Sequence, residues 1–139
     1  MTRDPFLRRL VLAYAALWTL AAIAPVDRSD WLLDNLLVFA FVPALAFTYR
    51  RFRFSHGSYL LIFAFLALHA VGAHYTYSLT PIGFWMQEAF GFARNHYDRA
   101  VHLGFGLLLT PPLRELVVRG LDARGWPGYV LPVMLALSL

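Results

Sequence analysis

The chain has 139 residues, of which 60 % are hydrophobic and 17 % aromatic, while only 14 % carry charge. A water-soluble domain of this size holds about a quarter charged residues, so the composition is that of an integral membrane protein and leaves no room for a separate soluble domain. The formal charge of +4 rests on twelve arginines and no lysine; they lie in short separated clusters, which argues against nucleic acid and for membrane lipids as the partner. The absence of cysteine removes disulfides, thiolate metal sites and cysteine nucleophiles.

Residues 1 to 9 carry Arg3, Arg8 and Arg9 and lead into an apolar run from Leu10 to Val26. Basic residues, an apolar core and Ala22-Ile23-Ala24 imitate a secretory signal, but Pro25 follows at the cleavage point, and the run reads as a retained first span, 10–26. Asp27-Arg28-Ser29-Asp30 is a short connection, so the second span, 31–49, is an antiparallel neighbour, with Trp31 and Tyr49 as interfacial aromatics and Pro43 inside it. Arg50-Arg51-Phe52-Arg53 makes a basic turn before a third span, 59–79, which contains His69, His74, Tyr75 and Tyr77. Residues 82–93 are aromatic and too short to cross; an interfacial or re-entrant segment fits them. The fourth span, 93–113, meets Pro111-Pro112, which should kink or end it. Trp126 to Leu139 reads as a partial fifth span that stops too early to cross, so the chain looks like a piece of a longer one. The expectation is an all-α, polytopic transmembrane helical bundle forming a single domain, 1–139.

The densest chemistry lies in Arg94-Asn95-His96-Tyr97-Asp98-Arg99-Ala100-Val101-His102. The apolar run after it, Ala100 to Leu113, gives roughly 21 Å of helix against a hydrocarbon core of about 30 Å. A crossing helix must therefore begin near Ala93, which carries Asn95, Asp98 and Arg99 into the boundary of the core. Ionisable residues are costly there and mark functional sites by default. On a helix Asn95, Asp98, His102 and Gly106 form one stripe, with Arg99 beside it.

The arginines divide unevenly between the two sides. The amino terminus, the second connection and the fourth connection hold Arg3, Arg8, Arg9, Arg50, Arg51, Arg53, Arg114, Arg119 and Arg124, while the other side holds Arg28, Arg94 and Arg99. By the positive-inside rule the amino terminus of this multi-pass protein is cytoplasmic. Asp34, Asn35, His74, Tyr77, Asn95, His96, Asp98, Arg99 and His102 then converge on the outer leaflet.

Asp98 and His102, four residues apart, are the candidate acid/base pair, because a carboxylate bonded to an imidazole fixes its tautomer and supports its cation. The alternative is an ion-pair network in which Asp98 neutralises Arg94 or Arg99 and pins helices. Arg99 suits anionic groups, and Asp34, Asn35, His74, Asn95 and His96 are candidate ligand-binding residues around the pair. His69 and His74 are five apart and face different ways; His69, near the midplane, suits an interhelical hydrogen bond. His74, His96, His102 and Asp98 are a conceivable zinc or iron set, without any established ligand spacing behind it. No pattern specifies a cofactor, a metal or an oligomeric state.

Through Asp34-Asn35, His69 to Tyr77, the long Arg94 to His102 motif and Pro112-Leu113-Arg114-Glu115, the chain resembles the YjdF-type family of bacterial inner-membrane proteins, whose function is uncharacterised. That resemblance implies a helical membrane fold and a further acidic stretch in later spans beyond this sequence. More remotely, Asp98-Arg99-Ala100-Val101-His102-Leu103 is similar to the Asp-Lys-x-x-His-Phe motif of VanZ-like membrane proteins, which are associated with glycopeptide resistance. The leading expectation is an outer-leaflet polar pocket that binds or processes an amphiphilic envelope molecule, a lipid headgroup or a lipid-linked precursor, with binding and catalysis both open. The alternatives are a proton-coupled transporter, opposed by the nearly apolar stretch Tyr59 to Leu68, and a non-catalytic membrane assembly or stability factor.

Overall fold

In the computed structural model, which describes residues 4–123 and 125–138 with the side chain of Ser138 excepted, six helices follow one another: α1 Pro5–Ala21, α2 Arg28–Thr48, α3 His56–His74, α4 Pro81–Phe90, α5 Tyr97–Gly120 and α6 Pro127–Ser138. Arg3, Arg124 and Leu139, which enter the charge and span assignments above, lie outside the described residues. No strand occurs among the described residues. α2, α3 and α5 are each long and apolar enough to cross a membrane; α1 has 17 residues and α6 has 12.

Local chemistry explains the boundaries. Asp4 caps α1 by accepting from the Phe6 and Leu7 amides, with Pro5 at the first helical position, so the first helix begins five residues before its apolar run. It stops at Ala21 because Ala24 takes a left-handed φ of 49° just ahead of Pro25. Asp27 caps α2 through the Ser29 and Asp30 amides. The third helix ends at His74, earlier than hydropathy suggests, because Thr76 and Tyr77 both turn left-handed, with φ of 52° and 55°. Pro81 opens α4, and Gly91, at φ 66°, ends it, the residue type that tolerates that conformation. The fourth expected span shifts from 93–113 to α5. Its start moves because Asn95 lies outside the helix and accepts from the Tyr97 amide. Its end moves because Pro111 and Pro112 are carried inside the helix, which continues to Gly120. Immediately before them the Thr110 hydroxyl donates to the Gly106 carbonyl, one turn earlier, at 2.5 Å, a back-bond of the kind that accompanies helix bending.

α3 is the helix the others surround. It packs against α1, α2 and α5, and α6 folds back along α5. In its most apolar stretch 44 % of residues are buried, against 17 % in α2 and 22 % in α5. The core joins Val38 of α2, Ile62, Phe65 and Leu66 of α3, and Tyr97, Val101 and Leu109 of α5. The outward positions are as apolar as the core: Leu33, Leu103 and Leu107 are each about two-thirds exposed. An apolar outside around an apolar inside is what hydrocarbon solvent requires.

Contacts between helix ends define the chain's course. At one end Asp4 meets His56 at 2.7 Å and Ser55 meets Glu115, so the starts of α1 and α3 lie with the end of α5. The His56 hydrogen bond, with the two cap amides, holds the Asp4 carboxyl below the usual carboxylate range. At the other end Ala21, Val26, Asp34, His69 and His74 are joined by hydrogen bonds, and Tyr97 reaches the Leu68 carbonyl at 2.9 Å. α1 and α3 therefore run one way and α2 and α5 the other, and the start of α2, the end of α3 and the start of α5 meet at one end.

Candidate functional site

His69 anchors that end. Its imidazole is buried and bonded on both sides, with Nε2 3.1 Å from the Asp34 carbonyl and Nδ1 2.7 Å from the Tyr77 hydroxyl. A carbonyl can only accept, so Nε2 carries a hydrogen, and in the neutral ring Nδ1 accepts from the Tyr77 hydroxyl. Tyr77 arrives there because the chain doubles back after His74 through the two left-handed residues. That conformation costs a non-glycine residue about 1 kcal/mol or more each, and it is held by the Tyr77 amide on the Gly72 carbonyl at 2.8 Å and the Thr80 hydroxyl on the Tyr77 carbonyl at 2.7 Å. The ring lies against Gly72, where a Cβ would overlap it. His69 thus makes the interhelical bond expected of it, while the Tyr77 partner has no signal in the sequence.

Several expected ligand-binding residues are committed to holding helices together. Asn35 is 1 % exposed; its Oδ1 accepts from the Trp18 indole at 2.6 Å and its amide donates to the Trp31 carbonyl at 2.7 Å. His74 donates from Nδ1 to the Ala21 carbonyl at 2.9 Å and receives the Val26 amide on its own carbonyl at 3.0 Å. It so closes the end of α1 onto α3. Asn95 donates to the Thr80 carbonyl at 3.0 Å and accepts from the Tyr97 amide, in a space that exists because residue 83 is glycine. His96 is half-buried against Phe92, ring centroids 5.0 Å apart, with an Nδ1 that has no hydrogen-bond partner among the described residues. Asp34 is half-buried and Arg99 exposed.

Asp98 and His102 do not form a side-chain pair. The His102 ring is exposed, and its Nδ1 donates to the backbone carbonyl of Asp98 at 2.8 Å. Helical side chains lean toward the helix start, so an imidazole at i+4 finds the i carbonyl below it. Asp98, in the first turn, has no helical turn beneath it, and it lines the space beside α4. There it forms no ion pair with Arg94 or Arg99; the ion pairs among the described residues are His56 with Asp4 and Arg119 with Glu115. The conceivable metal set is likewise not assembled. Among the described residues no three His, Asp or Glu side chains are grouped to hold an ion.

That space is an open cleft of about 490 Å³ between the α3–α4 turn, α4 and the start of α5. Arg94 and Asp98 give it one charge of each sign, Ser78, Gln87 and Asn95 neutral hydrogen-bonding groups, and Tyr77 its tie to His69. Leu79 and Phe84 supply an apolar wall. α4 carries little of its surface inward: Gly83 is its one buried residue, and Trp85 and Phe90 are each 65 % exposed. Arg94 opens the central motif of the sequence, whereas Gln87 has no signal that marks it beforehand. The opposite end holds a second polar cluster absent from the sequence reading, in which Glu115 accepts from the Ser55 amide at 2.8 Å, the Ser55 hydroxyl at 2.9 Å, the Ser58 hydroxyl at 2.5 Å and Arg119.

Helices with apolar outer faces, a core centred on one helix and polar clusters at both ends define a polytopic α-helical membrane protein. More particularly, the chain belongs to the family described as predicted membrane protein (DUF2238), whose model matches residues 6–139. It is 38 % identical over 103 residues to the inner membrane protein YjdF of Escherichia coli (strain K12), an alignment covering 74 % of this chain and 49 % of that protein. The chain thus spans about half the length of the curated relative it matches. No solved structure matches it. The resemblance to the YjdF-type family is therefore membership; neither match bears on the remoter likeness to VanZ-like proteins.

Proposed function

We propose that this protein binds the polar headgroup of an amphiphilic envelope molecule in the cleft between α4 and the start of α5. The observation that carries the reading is the pair Arg94 and Asp98: opposite charges lining one cleft beside an apolar wall, neither in an ion pair among the described residues. An uncommitted charge at membrane depth is costly unless a ligand or water meets it. In this reading α1, α2, α3 and α5 are the four spans and α6 belongs to a fifth. α4 lies in the interface with Trp85 and Phe90 toward lipid. The arginine distribution puts the amino terminus in the cytoplasm and the cleft at the outer leaflet of the inner membrane. Binding is favoured over bond-making because the Asp98 carboxylate has no imidazole beside it. A proton path is disfavoured by Ile62, Phe65 and Leu66, which are packed between His69 and the far end. Asn35 and His74 act as fasteners, Asn95 both ties the start of α5 to Thr80 and lines the cleft, and the site reduces to that cleft.

Native mass spectrometry of the detergent-purified protein tests this. The expected outcome is a retained lipid that is lost in the double variant Arg94→Gln/Asp98→Asn at unchanged folded yield, and kept in His102→Ala. Retention indifferent to the double variant, or lost equally in His102→Ala, would contradict the reading.

A further inference from the structure

We infer that the cleft selects a zwitterionic headgroup carrying a phosphate and a primary ammonium, the chemistry of a phosphoethanolamine lipid. The inference rests on the headgroup reading above and goes further in naming the class. Arg94 is exposed in the connection before α5, and Asp98 is half-buried in its first turn. They line the same cleft without forming an ion pair with each other. A guanidinium is suited to the two oxygens of a phosphate. A carboxylate only accepts, and a primary ammonium offers it three donors.

The same two charges discriminate against other headgroups. A purely anionic headgroup satisfies Arg94 and brings its charge toward Asp98, an unfavourable approach where the effective dielectric is low. A neutral polyol answers neither charge. A quaternary ammonium has no N–H to give Asp98 and is bound elsewhere by cages of aromatic rings, whereas this cleft mixes Tyr77 and Phe84 with Ser78, Gln87 and Asn95. The apolar wall of Leu79 and Phe84, continuous with the exposed Trp85 of α4, gives acyl chains a way out toward lipid.

The test presents the purified protein with an equimolar mixture of phosphatidylethanolamine, phosphatidylcholine and phosphatidylglycerol, and counts the retained lipids by native mass spectrometry. Phosphatidylethanolamine is expected to be retained about tenfold over the other two, the scale of one charged hydrogen bond. Asp98→Asn should reduce that preference to near parity with phosphatidylcholine, and Asp98→Glu should restore it. Should Asp98→Asn weaken the first turn of α5, Arg94→Gln, outside any helix, is the second variant and should lower retention of all three lipids. Glycerophosphoethanolamine, the headgroup without chains, separates the two sources of this chemistry. Weak competition supports the lipid; competition at equal affinity supports a soluble phosphoamine.

Retention of phosphatidylglycerol at least equal to that of phosphatidylethanolamine, still sensitive to Arg94→Gln, would overturn the zwitterion while leaving the headgroup site standing. Retention of no lipid in a way that depends on Arg94 or Asp98 would overturn both.

Discussion

Gly72→Val is expected to destabilise the protein by about 3 kcal/mol and to open the cleft at its Tyr77 wall. Residue 72 is buried on α3, and any Cβ there overlaps the Tyr77 ring. A β-branched side chain cannot be accommodated by a small shift, so the ring must leave. Three terms then combine. Overpacking of a close contact costs about 1–3 kcal/mol. Loss of an interhelical-type hydrogen bond inside a membrane protein costs about 0.6 and up to about 1.7 kcal/mol, here the 2.7 Å bond from Tyr77 to His69. Against them stands the gain in helix propensity on replacing glycine, below about 1 kcal/mol for valine. Tyr77→Phe isolates the middle term, because it keeps the ring over Gly72 and removes the hydroxyl; it should cost about 1 kcal/mol. Thermal unfolding followed by tryptophan fluorescence reads both. A Gly72→Val protein as stable as Tyr77→Phe would mean that the ring does not rest on α3.

Glu115→Ala should cost about 2–3 kcal/mol, and Glu115→Gln clearly less. The carboxylate gathers the Ser55 amide, two serine hydroxyls and Arg119 at the junction of α3 and α5, and its side chain is 12 % exposed. Truncation leaves several donors without their acceptor at once, and each such loss is on the order of 1 kcal/mol or more. The loss is limited because Arg119 is 54 % exposed and can turn to water. Ser55 also keeps its own cap on Ser58, with the amide 3.2 Å from its hydroxyl. Glutamine retains one acceptor oxygen and the packing. Unfolding in detergent by circular dichroism should rank wild type, Gln and Ala in that order; an Ala variant equal to wild type would contradict the junction role.

Much of the architecture is legible in the residues, because apolar runs mark the long helices and short connections make successive helices antiparallel, which decides which ends meet. That is why Asp34, His74 and Asp98 can be assigned to one end before any geometry is known. Side-chain pairing is a different matter. A spacing of four allows Asp98 and His102 to meet, yet the lean of helical side chains sends His102 to a carbonyl and leaves Asp98 in the cleft. Asn35, His74 and Asn95 look like ligand groups in sequence because a polar residue in an apolar run carries the same signal whether it fastens helices or binds a molecule. Tyr77 reaches His69 through left-handed conformations at Thr76 and Tyr77, residue types that give no such warning. Ser55 and Glu115 are 60 residues apart, beyond any local pattern. The helix through Pro111 and Pro112 runs against the rule that interior proline ends a helix, a rule relaxed in membranes where neighbours satisfy the freed carbonyls.

The central claim is that a headgroup occupies the cleft, and photo-crosslinking in intact membranes tests it most directly. A photoreactive amino acid at Phe84, on the cleft wall, is compared with one at Leu103, 64 % exposed on the outer face of α5. Phe84 should capture one lipid class well above its share of the membrane, and Leu103 should capture lipids in their bulk proportions. Bulk proportions at both positions would contradict a headgroup site in the cleft.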